Sequence, residues 1–315
     1  MAEPPRPEPV RNSTGARARL WKPAALGVLC ALAGGLAGWF GHLAWTDRQT
    51  RDDRAMASGE LPSQQPTLPL EPLPAPGSEA APAPAESLLR MGEAFVERFD
   101  GGMDARWSVS DGWSNGDWMT NDWRRSSVEA APGLVALKLQ PGPEGSAHRL
   151  ASGELQSHER HRYGYFEVRM KVPRGAGLVT GFFSYVGREG GTRPHEIDIE
   201  ILGRNTRVAE LTIHENGKAT SKKVTLPFDA ADGFQVYGFD WQPGHVRWYI
   251  DGQLVHAETG EAAQRLVRPQ QLILNLWASE QLGSRVGQLD LGKSPWRLDV
   301  SCMAYAPVYA GPICG

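Results

Sequence analysis

Cysteine is scarce in this sequence, with only Cys30, Cys302 and Cys314 among 315 residues. So few cysteines exclude a fold held together by a dense disulfide network, although Cys302 and Cys314 can pair if the protein is exported. The spacing of cysteine and histidine that is typical of zinc sites is also missing. The pair His195-Glu196 does not continue to a second histidine, because position 199 is Ile.

A large excess of charge of either sign is missing as well. Lys and Arg number 33 and Asp and Glu number 36, which gives a net charge of -3 at pH 7. Binding to nucleic acid depends mainly on a surplus of basic side chains that neutralise phosphates. The composition therefore gives no reason to expect a nucleic-acid partner.

Long stretches with helical periodicity are missing from residue 88 to the end of the chain. This part instead contains short runs of alternating apolar and polar residues separated by turn residues, such as 165–172, which stops at Pro173. The runs 246–250 and 253–255 meet across Asp251-Gly252, a strong signal for a two-residue hairpin. Many short strands at this spacing predict an all-β sandwich or barrel, and about 220 residues suffice for one such domain.

The N-terminal part has a different organisation. Residues 24–45 form a run of 22 residues without Asp, Glu, Lys or Arg, long enough for a helix to cross a bilayer. Basic residues precede the run, which predicts that residues 1–22 stay in the cytoplasm and that the rest is exported. We therefore expect a single-pass signal anchor at 23–45 in the inner or plasma membrane, with a periplasmic or extracellular domain. The alternative is a cleaved signal peptide.

A spacer follows the apolar run. Eight prolines occur among small and polar residues between positions 61 and 86, a composition typical of extended, semi-rigid linkers. We assign residues 46–87 to a Pro/Ala-rich linker and residues 88–315 to the folded domain.

The segment that carries chemistry is residues 195–203. Read with the two-residue period of a strand, Ile197, Ile199 and Ile201 face a core, whereas Glu196, Asp198 and Glu200 share the other face. Three acids in succession on one face repel one another, so folding alone does not favour this pattern. A solvated acidic face and a Ca²⁺ site are the alternatives to a catalytic role.

Glycoside hydrolysis needs two carboxyl groups beside one glycosidic bond, one protonated and one ionised. Residues i and i+4 on a strand have Cα atoms about 13 Å apart at a rise of about 3.3 Å per residue. The side chains of Glu196 and Glu200 must therefore lean together on a bent strand. Asp198 between them can separate their pKa values, which would make one an acid and the other a base.

The motif Glu-Ile-Asp-Ile-Glu resembles the signature of glycoside hydrolase family 16, and most closely its bacterial lichenases and exopolysaccharide-trimming endoglucanases. The similarity extends over roughly residues 95–307, in the family's order. The matching blocks are residues 99–100, 110–116, 123–124, 163–168, 181–185, 239–244, 248–252 and 275–277.

The resemblance implies a concanavalin-like jelly-roll β-sandwich with a concave cleft. It implies Glu196 as the nucleophile, Glu200 as the acid and then the base, and Asp198 as a helper. It further implies a set of substrate-binding positions, for each of which a plain core or surface role is the alternative: Trp113, Asn115, Arg124, Glu154, Phe183, Tyr185, Asn275 and Trp277. Asp299 resembles a residue of a structural Ca²⁺ site, and no other cofactor is expected.

Several positions depart from the lichenase pattern. Pro194-His195 stands where lichenases have Trp-Asp, Gln156 replaces an Arg, and Thr212 and His214 replace Asn and Tyr. His214 is either a substrate contact or a plain surface residue. The catalytic motif is intact while the subsites differ, so we expect the same chemistry on a polysaccharide that need not be cereal β-glucan.

Three functions are compatible with these residues. The first is hydrolysis of internal β-1,4 or mixed β-1,3/1,4 bonds of an exopolysaccharide or β-glucan by double displacement. The second is transglycosylation through the same covalent intermediate. The third is a polysaccharide-binding, lectin-like protein, against which the paired acids Glu196 and Glu200 argue.

Overall fold

The computed structural model describes residues 92–187, 193–215 and 217–315. Within them the chain forms strands and four short helical segments. In chain order the strands are β1 (Phe95–Glu97), β2 (Trp107–Val109), β3 (Asn121–Trp123), β4 (Val128–Ala131), β5 (Leu134–Pro141), β6 (Leu150–Ser152), β7 (Glu154–His161), β8 (Gly164–Lys171), β9 (Leu178–Val186), β10 (His195–Leu202), β11 (Val208–Glu215), β12 (Lys218–Thr225), β13 (Gln235–Gln242), β14 (His245–Ile250), β15 (Gln253–Glu258), β16 (Gln270–Ala278) and β17 (Trp296–Ala306). The helices are α1 (Glu261–Gln264) and α2 (Gly283–Val286), with 3₁₀ turns at Arg125–Ser127 and Leu291–Lys293.

The strands form two sheets. One has ten strands, in the order β15-β14-β13-β8-β17-β5-β6-β3, with β1 beside β17 and β4 beside β5. The other has seven strands, in the order β12-β11-β10-β9-β16-β7-β2. The predicted all-β sandwich is therefore confirmed for the described residues, and the barrel alternative is wrong.

The core lies between the two sheets. Phe182 on β9 and Phe239 on β13 meet across it, with ring centroids 5.7 Å apart. Ile197, Ile199 and Ile201 on β10 are almost completely buried in the same core. Burial of one isoleucine side chain contributes about 1.5–3 kcal/mol, so their alternation fixes which face of β10 points outward.

Two local predictions are confirmed. Asp251 and Gly252 join β14 to β15 with φ angles of 47° and 74°, the positive values that a two-residue hairpin turn needs. Cys302 and Cys314 form a disulfide with a Cα–Cα distance of 5.7 Å. It ties the C-terminal segment to β17 in the ten-stranded sheet.

The predicted tail (1–22), membrane segment (23–45) and linker (46–87) lie outside the described residues. Of the helices in the described part of the chain, none has the length and apolar character needed to span a bilayer.

Candidate active site

The central strand of the seven-stranded sheet presents the acidic face. Strand β10 pairs with β9 on one side and β11 on the other. Glu196, Asp198 and Glu200 lie on its outer face. Asp198 is buried and the two glutamates are half-buried.

The carboxyl groups of Glu196 and Asp198 lie side by side, each with an oxygen within 4.8 Å of the other. Because two adjacent carboxylates repel each other, the pair favours a state in which one of them carries a proton. Burial raises the pKa of Glu196 to about 8, and the charge of Glu200 adds to the effect. Burial and the neighbouring charge of Glu196 also raise the pKa of Asp198. At neutral pH the trio therefore holds a proton, as acid–base chemistry requires.

Glu200 has a different set of neighbours. Arg285 on α2 donates from Nη2 to Glu200 Oε2 at 2.5 Å and to Glu210 Oε2 at 2.8 Å. Burial raises the pKa of Glu200, the positive charge of Arg285 opposes that shift, and the negative charge of Glu210 reinforces it. The acid–base character of Glu200 is thus set by a balance of burial and two opposite charges.

Histidine 214 approaches the trio from β11. His214 Nε2 lies 3.4 Å from Asp198 Oδ2, and His214 is directly opposite Glu196 in the strand register. One ligand atom each from Glu196, Asp198 and His214 lie within 4.8 Å of one another, so these residue types could hold a cation. A cation and a shared proton would compete for the same carboxyl oxygens, and hydrolysis by two carboxyl groups needs no metal.

The predicted aromatic positions on β9 lie beside the acids. Tyr185 is opposite Glu196 and Phe183 is opposite Asp198, and both side chains are half-exposed on the outer face. Gly181 is opposite Glu200, where an added Cβ would come within 2.9 Å of Asn275 Oδ1. The missing side chain at Gly181 leaves room beside Glu200 for Asn275 and a substrate.

Asn275 and Glu154 lie in the row of residues that continues from Glu200 across β9. Asn275 donates to Glu154 Oε2 at 2.9 Å, and Ser110 and Gln156 donate to Glu154 Oε1 at 2.7 and 2.8 Å. Both side chains are buried, and burial raises the pKa of Glu154 against the effect of these hydrogen bonds. The structure brings the two residues to the site as a supporting network, and their contact with substrate stays a prediction.

Four other predicted positions lie in or beside the loop between β2 and β3. Trp113 is 44% exposed and meets Trp123 edge-on, and Trp123 Nε1 donates to Asn115 Oδ1 at 2.8 Å. Arg124 pairs with Asp122 at 3.1 Å. Trp277 is buried against Trp118, with ring centroids 5.2 Å apart. Of these four, Trp113 offers an open aromatic face, whereas Asn115, Arg124 and Trp277 have protein partners.

Asp299 lies on β17 in the opposite sheet from the acids. Its carboxylate pairs with Arg297 and lies 3.6 Å from Lys171 Nζ. A bound Ca²⁺ would have to compete with these two side-chain cations for the carboxylate of Asp299. The positive charge around Asp299 therefore disfavours the calcium site, which stays a prediction.

Two residues of the site were missed by sequence reasoning, Arg285 and Glu210. Arg285 is 85 positions from Glu200 and lies on a four-residue helix without a recognisable pattern. Glu210 lies on β11 directly opposite Glu200, so the alternation of side chains along the strand places it on the same outer face. This alternation is the sequence signal that could have identified Glu210.

Comparisons with known proteins agree with this geometry. The family model described as glycosyl hydrolases family 16 matches residues 115–293. The β-glucanase of Bacillus licheniformis is 37% identical over 216 residues, which cover 67% of this chain and 86% of the relative. The endo-1,3-1,4-β-glycanase ExoK of Rhizobium meliloti is 33% identical and covers 68% of this chain and 78% of its own length.

Solved structures give the same result. The crystal structure of a lichenase from a mouse hindgut metagenome has a TM-score of 0.63 at 31% identity, and covers 68% of this chain and 99% of that one. The B. licheniformis β-glucanase structure has a TM-score of 0.62 at 34% identity, over 68% of this chain and 98% of that one. Family match, relatives and site agree: the chain belongs to glycosyl hydrolase family 16 and is a glycoside hydrolase.

Proposed function

We propose that the protein is a retaining endo-β-glucanase that cleaves internal β-1,4 or mixed β-1,3/1,4 glucosidic bonds of an exopolysaccharide or β-glucan. The observation that carries this proposal is the outer face of β10. Burial raises the pKa of all three acids there, and Glu200 is paired with the buried cation Arg285. Different environments for two nearby carboxyl groups are what acid–base assignment requires.

In the proposed reaction, Glu196 attacks the anomeric carbon while Glu200 gives its proton to the leaving glycosidic oxygen. The bond to the leaving sugar breaks, and a glycosyl ester of Glu196 forms. Glu200 then removes a proton from water, whose oxygen displaces Glu196 and restores both carboxyl groups. Glu196 must be ionised to attack, so the proton that the pair holds lies on Asp198 in the first step. In the second step Asp198 donates this proton in a hydrogen bond to the departing carboxylate of Glu196, which stabilises Glu196 as a leaving group.

The names of the relatives support the substrate class. Bacterial relatives at 33–38% identity include β-glucanases and an endo-1,3-1,4-β-glycanase. The half-exposed Phe183 and Tyr185 beside the acids offer aromatic faces on which sugar rings can stack. We therefore assign a β-glucan backbone as the substrate.

The test is reducing-end release by a soluble protein that begins near residue 88, offered cereal β-glucan, cellulose derivatives and acidic exopolysaccharides. We expect hydrolysis by the wild type and a loss of several orders of magnitude in Glu196→Gln. Glu129→Gln is the matched control, because Glu129 is an exposed carboxylate on the opposite sheet. Equal reducing-end release by wild type and Glu196→Gln on every polymer would refute the proposal.

We further propose that residues 23–45 anchor the protein in the inner or plasma membrane and that the linker holds the enzyme domain outside the cytoplasm. The support is the run of apolar residues with basic residues before it. Membrane fractionation tests the anchor: the full-length chain should sediment with membranes. Recovery of a shortened soluble protein would contradict it and favour a cleaved signal peptide.

A further inference from the structure

Arg285 is a buried cation in direct contact with the proposed acid. Its side chain is 5% exposed, and its Nη2 donates to Oε2 of Glu200 and to Oε2 of Glu210. Glu210 is 6% exposed at the side chain, and its Oε1 lies 3.4 Å from Lys223 Nζ on β12. Carboxylate and cation therefore alternate in the order Glu200, Arg285, Glu210 and Lys223.

A guanidinium alone beside Glu200 would work against its proposed role. A positive charge within hydrogen-bond distance favours the ionised form of a carboxyl group, whereas a general acid must carry a proton. Glu210 supplies a second negative charge on the same guanidinium nitrogen. The negative charge of Glu210 thereby offsets part of the effect that Arg285 has on the pKa of Glu200.

Hydrogen bonding to Arg285 also orients Glu200. It occupies Oε2 of Glu200 and leaves Oε1 for the leaving oxygen of the substrate. Gly181 and Asn275, the neighbours of Glu200 across β9, carry no charge. Among the described residues, the other titratable groups on the outer face near Glu200 are Glu196 and Asp198 on its own strand, His214 on β11 and the buried Glu154 on β7.

We propose that Arg285 and Glu210 are a pair of positioning residues that hold Glu200 in place and balance the charge around its acid–base proton. This inference rests on the proposed hydrolase function. It assigns roles to two residues with opposite charges, so their replacement must shift the same titration in opposite directions.

The experiment measures the pH dependence of kcat/KM, whose alkaline limb follows loss of the proton from the essential acid group of the free enzyme. Glu210→Gln leaves the whole charge of Arg285 on Glu200, so the alkaline limb should move to lower pH by about one unit. Arg285→Gln removes the cation and leaves two adjacent carboxyl groups, so the limb should move to higher pH by about one unit. The double variant should return the limb toward its wild-type position.

Two further variants separate this role from a purely structural one. Arg285→Lys keeps the charge and should retain the wild-type limb with a lower kcat, because ammonium lacks the fork geometry of guanidinium. Arg265→Gln is the matched control: Arg265 pairs with Glu215 on the same strand β11 at 3.5 Å, away from Glu200, and its loss should leave the limb unmoved.

The outcomes distinguish the two proposals. If the wild type hydrolyses none of the polymers, the proposed function fails. If the wild type is active and folded variants at 285 and 210 keep its alkaline limb, or shift it in the same direction, the positioning role is overturned. Thermal unfolding of each variant identifies those that remain folded. If Arg285→Gln does not fold, Glu210→Gln still tests the positioning role, because glutamine keeps the size of the side chain and can still form hydrogen bonds.

Discussion

The indole Nε1 of Trp248 donates a hydrogen bond across the core to the backbone oxygen of Asp198, at 3.1 Å. Trp248 lies on β14 of the ten-stranded sheet, and Asp198 lies on β10 of the seven-stranded sheet. The bond therefore connects the middle of β10, on its core side, to the ten-stranded sheet. It fixes the position of the backbone from which the three carboxyl groups project.

Replacing Trp248 by Phe should weaken both the fold and the site. The loss of the hydrogen bond and of part of the indole volume should lower the free energy of unfolding by about 1–3 kcal/mol. Chemical denaturation measures it, and kcat should fall as the strand loses its support. Trp241→Phe is the control, because Trp241 is equally buried but its Nε1 has no hydrogen-bond partner among the described residues. Equal losses in both variants would show that the bond to Asp198 contributes nothing.

The pattern of residues 195–201 was sufficient to predict the acidic face. Alternation with a period of two places Ile197 and Glu196 on opposite sides of any strand, so burial of one exposes the other. The same parity argument predicts the outward position of Glu210. It could not predict Arg285, because the approach of α2 to the sheet depends on a loop whose path no local pattern specifies.

The substrate-binding positions show a similar division. Phe183 and Tyr185 were predicted by resemblance, and pairing with β10 places them beside the acids. Asn275 and Glu154 also reach the site, but their side chains bind each other. The alternation of side chains along a strand predicts which face of the sheet a residue lies on. It does not predict which of two neighbouring polar side chains contacts a substrate and which supports the other, because that depends on side-chain hydrogen bonding.

Stability should depend on pH through Glu196. Burial and the charge of Glu200 raise the pKa of Glu196 from 4.5 to about 8 in the folded protein. The folded state then binds more protons than the unfolded state, so stability is fully present below pH 4.5 and is lost as pH rises through 8. The melting temperature should therefore decrease between pH 5 and pH 8.

Glu196→Gln should flatten that decrease, because an amide does not titrate. Differential scanning calorimetry of both proteins across the same buffers measures the slopes. Glu129→Gln is the control, since ion pairing with Lys138 lowers the pKa of Glu129 and keeps it ionised over this whole range. A steeper decrease in Glu196→Gln than in the wild type would contradict the assignment.

Trp113 should contribute to substrate binding and not to folding. Trp113 is 44% exposed and meets Trp123 edge-on. Trp113→Ala should raise KM on soluble β-glucan by about two- to tenfold, the range expected for loss of one stacking contact. The melting temperature and kcat should change little, and Trp113→Phe should retain most of the affinity. An unchanged KM in the alanine variant would remove Trp113 from the binding surface.

The disulfide should stabilise the domain without affecting catalysis. Cys302 and Cys314 are 12 positions apart, and their disulfide ties the C-terminal segment to β17 of the ten-stranded sheet, which lies opposite the acidic sheet. Cys314→Ser should lower the free energy of unfolding by about 2–3 kcal/mol under oxidising conditions, by the loop-closure argument. Activity at 25 °C should be retained. Reduced wild-type protein should match the variant, and a large loss of kcat in a folded Cys314→Ser protein would contradict the separation of the two regions.

Double displacement by Glu196 and Glu200 determines the configuration of the first-formed product. Proton NMR of a β-glucan oligosaccharide, recorded within minutes of adding enzyme, resolves the two anomers of the new reducing end before they interconvert. We expect the β-anomer to appear first and the α-anomer to follow only by mutarotation. First appearance of the α-anomer would mean a single displacement by water and would contradict the roles assigned to both carboxyl groups.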